Sequence, residues 1–301
     1  MPALQRDSRS RTAHASTAIE GNPLTLEEVR AIEEGRSIGD PKERTRREVL
    51  NQLAGLRHIE KHAGKRRIAA IDILALHRII AEGVMEQGIP GRYRDVPVRV
   101  GTFLPPSPEK VPALMDDLLA WWNREASAWS PVISSAVVHH RFEQIHPFAD
   151  GNGRAGRTLA LWELYRRGFD THHVFAVDEI YWEMRPRYYR ALAAVQREKG
   201  DLTGWLEFCA EALHLALERV WMRIQRLSVE AKGMKIVLRP RQERLLRLLR
   251  DHRELAPREI RELLGVSRQG AMDLLNPLLE AGMVERVGTR RSGKYVLKGG
   301  A

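Results

Sequence analysis

Between His146 and Arg157 the chain reads His-Pro-Phe-Ala-Asp-Gly-Asn-Gly-Arg-Ala-Gly-Arg. Gly151 and Gly153 let the backbone turn several N–H groups toward one point. A helix starting just after them adds its positive N-terminal end. Arg154 and Arg157 are three apart, share a helix face and can clamp one polyphosphate. Asp150 is a hard oxygen ligand suited to a Mg²⁺ that also touches phosphates. Asn152 can donate a neutral hydrogen bond to a phosphoryl oxygen. His146 stands at the loop entrance, where a general base for an incoming hydroxyl is needed. Positioning, charge neutralisation and a base are the parts of phosphoryl transfer. A Gly-Asn-Gly turn alone would read as a loop with two surface arginines. His, Asp, Asn and two Arg at fixed offsets point instead to chemistry.

These residues need two helices to position them, and the apolar pattern supplies both. Pro131 to Ile145 carries Ile133, Ala136, Val137 and Phe142; Arg154 to Arg167 carries Leu159, Trp162 and Tyr165. Further helices are expected over Arg9–Glu20, from Thr25 to near Gly35, and over Pro41–His62, Ile71–Met85, Val111–Trp122, Tyr188–Lys199 and Leu202–Leu227. Thr25-Leu26-Glu27-Glu28 has capping-box spacing. Asp95 to Gly101 alternates and is rich in valine, which predicts a short strand or hairpin, with Pro97 arguing for an edge. Composition shifts near Ala231-Lys232-Gly233, the expected domain boundary.

The run from His146 resembles the signature of the Fic family, His-x-Phe-x-Asp/Glu-Gly-Asn-Gly-Arg-x-x-Arg, at every fixed position. Gly91-Arg92-Tyr93-Arg94, Val98-Arg99-Val100-Gly101 and Pro105-Pro106 look like the flap before that family's core. Tyr188 to Leu192 and Trp205-Leu206 look like its later helices. The resemblance covers about residues 1 to 230. It implies a mainly α fold: a helical core with a small β-hairpin flap. It implies transfer of AMP from ATP, with Mg²⁺, to a Ser, Thr or Tyr hydroxyl of a protein. His146 would then deprotonate the target hydroxyl, and Asp150 would hold Mg²⁺ across the α- and β-phosphates. Asn152 and the amides of Gly151 and Gly153 would hold the phosphates, Arg154 the α/β region and Arg157 the γ-phosphate. Relatives of the Doc type, which phosphorylate, usually depart at the second glycine, so Gly153 weighs against kinase activity.

Ser16-Thr17-Ala18-Ile19-Glu20-Gly21-Asn22 resembles a second signature, an inhibitory helix of similar Fic proteins. Ser16 and Glu20 share a helix face. A carboxylate there could pair bidentately with Arg157 and displace the γ-phosphate. The opposite use, Glu20 orienting a water that removes AMP from a modified protein, stands as an alternative. So does a plain surface helix.

The flap residues Val98, Arg99, Val100 and Gly101 offer an edge to an extended target segment, or form a structural hairpin. Tyr188, Tyr189 and Leu192 are candidates for an adenine pocket, or for core. His139, His140, His172 and His173 have no zinc-site spacing, and one of each pair packing in the core is expected. Cys209, the one cysteine, reads as buried and inert.

The tail resembles a winged helix-turn-helix of bacterial transcription regulators. Helices are expected over Pro240–Arg250, Ala256–Gly265 and Val266–Glu280, with strands at 281–287 and 294–297. Residues 235–301 hold 15 Lys and Arg against 8 Asp and Glu, most of the chain's net charge of +10. An anionic partner, duplex DNA, is expected. Arg268 and Gln269 would face the major groove, and Arg290 and Arg291 would grip phosphates from the wing. A winged helix used only for protein contacts is the alternative. No apolar run has the length of a membrane span and the N-terminus lacks a signal peptide, so a cytoplasmic protein with no membrane partner is expected. The division expected is 1–35 with the inhibitory helix, 36–230 as catalytic core and 235–301 as winged helix. A homodimer is allowed. The rival to an enzyme is a DNA-binding regulator whose core senses nucleotide or modifies only itself.

Overall fold

The computed structural model describes residues 2–39, 42–170, 172–197, 200–230, 238–288 and 293–298. Two compact units emerge, Asp7–Leu217 and Met1–Arg6 with Glu218–Ala301.

The helices are α1 (Pro2–Ile19), α2 (Leu26–Glu33), α3 (Glu43–Lys61), α4 (Ala70–Ala81), α5 (Val111–Arg124), α6 (Pro131–Ile145), α7 (Asn152–Arg166), α8 (Val177–Glu183), α9 (Arg185–Arg197) and α10 (Thr203–Glu230). Apart from α8 they overlie the segments where apolar periodicity places a helix, with α1 starting well before the expected Arg9. Thr25 caps α2 through the expected box: its hydroxyl accepts from the Glu28 N–H, and the Glu28 carboxylate accepts from the Thr25 N–H at 2.7 Å. Ser130 caps α6, with Pro131 in the first turn, where its missing N–H costs nothing. The helix α8 was not foreseen; seven residues give too short a period to read.

In the larger unit α6 and α7 pack against each other along their lengths. Leu53 and Leu56 of α3, Leu76 and Ile80 of α4, Trp122 of α5, Phe142 of α6 and Trp162 of α7 fill one core. A buried carboxylate ties three of these helices. Glu163 of α7 accepts from the Trp122 indole at 2.7 Å and the Ser134 hydroxyl at 2.6 Å, and pairs with Arg166 and Arg167. Glu163 is fully buried, so every one of these donors is needed to offset its desolvation. A second cluster joins Ile19, Tyr181, Tyr188, Trp205 and Phe208. Cys209 lies in it, and burial pushes its thiol up, so it is inert as expected. The expected hairpin at residues 95–103 is reduced to one antiparallel bridge, Val100 with Phe103, bonded both ways at 3.0 and 2.9 Å.

The tail has α11 (Pro240–His252), β1 (Glu254–Leu255), α12 (Pro257–Leu264), α13 (Arg268–Glu280), β2 (Val284–Val287) and β3 (Lys294–Leu297). The strands form one antiparallel sheet in the order β1-β3-β2, with Val284 opposite Leu297 and Val287 opposite Lys294. This is a winged helix. Leu245, Leu249, Ile260, Leu275 and Tyr295 form its core. Ser267 caps α13 by accepting from the Gly270 N–H at 3.1 Å. β1 was not foreseen, since two residues carry no alternation. The expected boundary at 231–233, and Arg290 and Arg291, lie outside the described residues.

Three histidines of the larger unit are buried as neutral rings. Burial pushes His77 and His140 down to about 4, and His139 well below its ordinary value. An unfolded chain protonates these rings near 6.5. Between 6.5 and 4 the unfolded state therefore binds more protons than the folded one. Their contribution to stability is full above 6.5 and is lost as pH falls toward 4. Melting temperature measured stepwise across that window is expected to drop, and to drop less steeply in His140→Gln. Parallel slopes for the two proteins would overturn this assignment.

Candidate active site

The helix α6 ends because His146 adopts a left-handed backbone, φ 50° and ψ 61°, and Pro147 follows it. Its N–H still closes the helix on the Phe142 carbonyl at 2.9 Å. Gly151, at φ 77°, turns the chain into α7, whose first residues are Asn152 to Arg157. The expected helix–loop–helix junction is therefore formed by a residue at each end holding positive φ.

Asn152 also holds the loop. Its side-chain oxygen accepts from the Phe148 N–H at 2.9 Å and its amide nitrogen donates to the Phe148 carbonyl at 2.8 Å. It is 2% exposed. The amide therefore spans the loop and shapes it with its oxygen and one of its two N–H groups.

Two residues whose roles were not anticipated pin the same loop. His77 of α4 stacks on Phe148, with ring centroids 3.5 Å apart and planes 2° from parallel. The Gly91 N–H donates to His77 Nδ1 at 2.9 Å, which leaves the ring proton on Nε2, 2.9 Å from the Asp150 carbonyl. Burial is the main reason that His77 stays neutral, and the Arg154 charge adds to it. Arg94 ties the flap to the loop. Its guanidinium donates to the carbonyls of His146 at 2.7 Å, Pro106 at 2.5 Å and Val96 at 3.2 Å, and its own N–H donates to the Pro147 carbonyl.

Arg157 is the buried charge of the site. Its Nε donates to Ser16 Oγ at 3.0 Å, and Nη2 donates to the Ser16 carbonyl at 2.9 Å and to Glu20 Oε1 at 2.7 Å. The contact with Glu20 is one short bond, where a two-pronged fork was expected, and it shares Nη2 with the Ser16 carbonyl. Asp178 of α8 stands behind, 3.8 Å from Nε. Burial pushes the Asp178 carboxyl up to about 6, with Arg157 and Ser16 pulling the other way. Burial would also raise the Glu20 carboxyl, yet Arg157, then Arg154 and Arg185, hold it below its ordinary value.

Glu20 occupies the space above Gly153: a Cβ on that glycine would collide with its carboxylate. Arg154 is 5% exposed, and its Nε and Nη1 have no hydrogen-bond partner among the described residues. Its Nη2 lies 3.9 Å from Asp150 Oδ1, and that oxygen accepts from the Gly151 N–H at 2.6 Å.

A cleft of about 680 Å³ lies against this junction, a size that suits a nucleotide. Glu20, His146, Gly153 and Arg157 line it, together with Val100 and Gly101 of the flap and Tyr188, Tyr189 and Leu192 of α9. Val98, Arg99, Asp150, Gly151, Asn152 and Arg154 do not. Tyr188 belongs to both proposed settings, since it packs in the second core with its hydroxyl 3.1 Å from His139. His140 is buried too, as expected of one of that pair. For the other pair the expectation needs correcting: His172 is exposed and His173 is half-buried against Tyr165, because they sit in a turn beyond α7. Among the described residues no three His, Cys, Asp or Glu side chains form a metal cage.

The Arg94→Ala variant is expected to lose about 3 kcal/mol of stability, since it strips a charged donor from several partly buried carbonyls. Denaturant unfolding reads the loss, and limited proteolysis is expected to cut first at residues 95–104. An unchanged midpoint with a resistant flap would contradict the clamp.

The Fic/DOC family is matched by residues 68–164 and the MarR family by residues 238–294. Protein adenylyltransferase fic-1 of Caenorhabditis elegans is 32% identical over 221 residues, which span 72% of this chain and 42% of the relative. Protein adenylyltransferase Fic of Drosophila willistoni is 32% identical over 206 residues, 67% of this chain and 40% of the relative. The chain thus spans less than half the length of these curated relatives. Among solved structures, C. elegans Fic-1 superimposes with a TM-score of 0.61 at 29% identity, over 71% of this chain and 62% of that one. A Fic family protein from Desulfovibrio desulfuricans superimposes with a TM-score of 0.69 at 30% identity, over 100% of this chain and 89% of that one. With junction, flap and cleft in place and a match of that extent, the chain belongs to the Fic family.

Proposed function

We propose that the chain transfers AMP from ATP to a hydroxyl of a target protein, and that Glu20 restrains the reaction. The observation that carries the reading is the cleft in which His146, Gly153 and Arg157 meet while Glu20 engages Arg157. His146 takes the proton of the target Ser, Thr or Tyr hydroxyl. The freed oxygen attacks the α-phosphorus, the bond to the bridging oxygen breaks, and pyrophosphate leaves with the electron pair. Arg154 brings buried, unpartnered donors to the α/β-phosphates, and Arg157 receives the γ-phosphate once Glu20 is withdrawn. Tyr188, Tyr189 and Leu192 take the adenine, and the flap edge at Val98 to Gly101 takes an extended target segment.

Mg²⁺ neutralises phosphate charge when bound. Asp150, 37% exposed, suits an ion held by one carboxylate, substrate phosphates and water. A second reading, AMP removal, is favoured by one feature: the Glu20 side chain is 39% exposed at the cleft and can orient a water. The tail is proposed to bind duplex DNA. Its match to the MarR family and the exposed Arg268 and Gln269 at the start of α13 support this.

Glu20→Gly is expected to raise transfer from α-labelled ATP roughly 5- to 150-fold, the usual range for releasing a coupled contact. His146→Ala is expected to lower it by about 10² to 10⁴ while ATP still binds. Equal activity of the unsubstituted chain and Glu20→Gly would sink the restraint. Removal of AMP by the unsubstituted chain, lost in Glu20→Gly, would establish the hydrolytic reading.

For the tail, mobility shifts of the full chain on duplex DNA are expected to weaken as salt rises, by a log–log slope of about −0.9 per phosphate neutralised. Arg268→Ala and Gln269→Ala should blur sequence preference, and Arg290→Ala and Arg291→Ala should weaken binding to any duplex. No shift at low salt would leave the winged helix as a protein-contact module.

A further inference from the structure

A half-buried carboxylate of the cleft takes no part in the proposed transfer step. Glu143 sits in the last turn of α6, three residues before His146, and lines the cleft beside it. Its Oε2 is 3.6 Å from His146 Nδ1. Its Oε1 and the histidine Nδ1 are both buried without a hydrogen-bond partner. Among the described residues Glu143 makes no ion pair with Lys or Arg.

We infer that Glu143 is the positioning residue of His146, its carboxylate holding the Nδ1–H so that Nε2 presents the lone pair to the target hydroxyl. Rotation of the histidine about its backbone is restricted: the residue is left-handed, and its carbonyl is held by Arg94. The gap is longer than a hydrogen bond, as such contacts often are before substrate arrives. Space for the carboxylate is kept by α7. A Cβ at Gly156 would collide with Glu143 Oε1 and approach Phe142 to 3.1 Å. The chemistry requires such a partner. A neutral imidazole exists as two tautomers, and only the one protonated at Nδ1 leaves Nε2 free. When Nε2 takes the hydroxyl proton, the ring becomes a cation in a partly buried site, and an adjacent carboxylate stabilises it.

The inference rests on His146 acting as the base, and the experiment separates the two ideas. Glu143→Gln, Glu143→Asp, His146→Ala and the Glu143→Gln/His146→Ala double variant are made in whichever of the Glu20→Gly and unsubstituted chains is more active. Glu143→Gln is expected to lower kcat on the order of 10²-fold with unchanged ATP affinity and melting temperature. Glu143→Asp, which keeps the charge, should retain more activity. The double variant should be no slower than His146→Ala, since the two residues act as a unit. Nitrogen-15 spectra, with the His146 signals assigned by their loss in His146→Ala, should show Nδ1 protonated, and mixed tautomers in Glu143→Gln. An unaltered kcat and tautomer in Glu143→Gln would overturn the inference, as would a parallel loss of ATP affinity. Undiminished transfer by His146→Ala would instead overturn the base, leaving the tautomer spectra to decide whether Glu143 holds the ring.

Discussion

The guanidinium of Arg157 is a full charge with about 1% of its side chain exposed, and the architecture of the larger unit is organised around keeping it partnered. Removing the partner of a buried charge typically costs about 3–5 kcal/mol. Ser16 meets it with a hydroxyl and a carbonyl, Glu20 with a carboxylate from the cleft side, and Asp178 with a carboxylate from the core side. Two of these partners come from α1 and the turn that ends it, Ser16 within the helix and Glu20 just after it, and the helix packs closely: Ala13, Ala15 and Ser16 are fully buried. Small residues let α1 approach closely enough for a serine to reach the guanidinium. The asymmetry matters for function. Asp178 and Ser16 are buried, whereas Glu20 is partly exposed at a helix end, so in the proposed reaction Glu20 is the partner that a phosphate would replace.

The loop before Arg157 is held by side chains that never face the cleft. His77 holds the Asp150 carbonyl, Asn152 bridges Phe148, and Arg94 gathers the carbonyls of His146 and the flap. Every one of these contacts is to backbone. The effect is that the direction of the peptide groups is set before any ligand arrives, which is what electrostatic preorganisation demands of an anion site. Arg154 is the counterexample that completes the picture. Its Nε and Nη1 are buried and unpartnered, donors that the proposed transfer would direct at phosphate oxygens.

Flap and winged helix illustrate how little regular structure each task needs. A single bridge between Val100 and Phe103 holds the flap turn, because Arg94 and the loop supply the anchoring that a longer hairpin would otherwise provide. The winged helix has its own core and its own three-stranded sheet. The Ser267 cap fixes where α13 begins, and with it the placement of the exposed Arg268 and Gln269.

The sequence by itself determined the elements and the loop chemistry. Period-3.6 apolar patterns, a capping box and the Gly-Asn-Gly turn are local, and most helix boundaries they imply lie within a few residues of those observed, the early start of α1 at Pro2 and the short α8 being the exceptions. The pairing of Glu20 with Arg157 was legible only through resemblance, since nothing local links residues 137 apart. Tertiary structure alone decided the rest. Asn152 reads as a phosphate donor in a string of letters, and only the closed loop shows that its amide also bridges the backbone of Phe148. His77, Asp178 and Glu143 carry no local signal, because a histidine or carboxylate on a helix reads the same whether it meets solvent or a catalytic loop. What distinguishes them is desolvation and the identity of the groups across the core, and both exist only once the chain has folded.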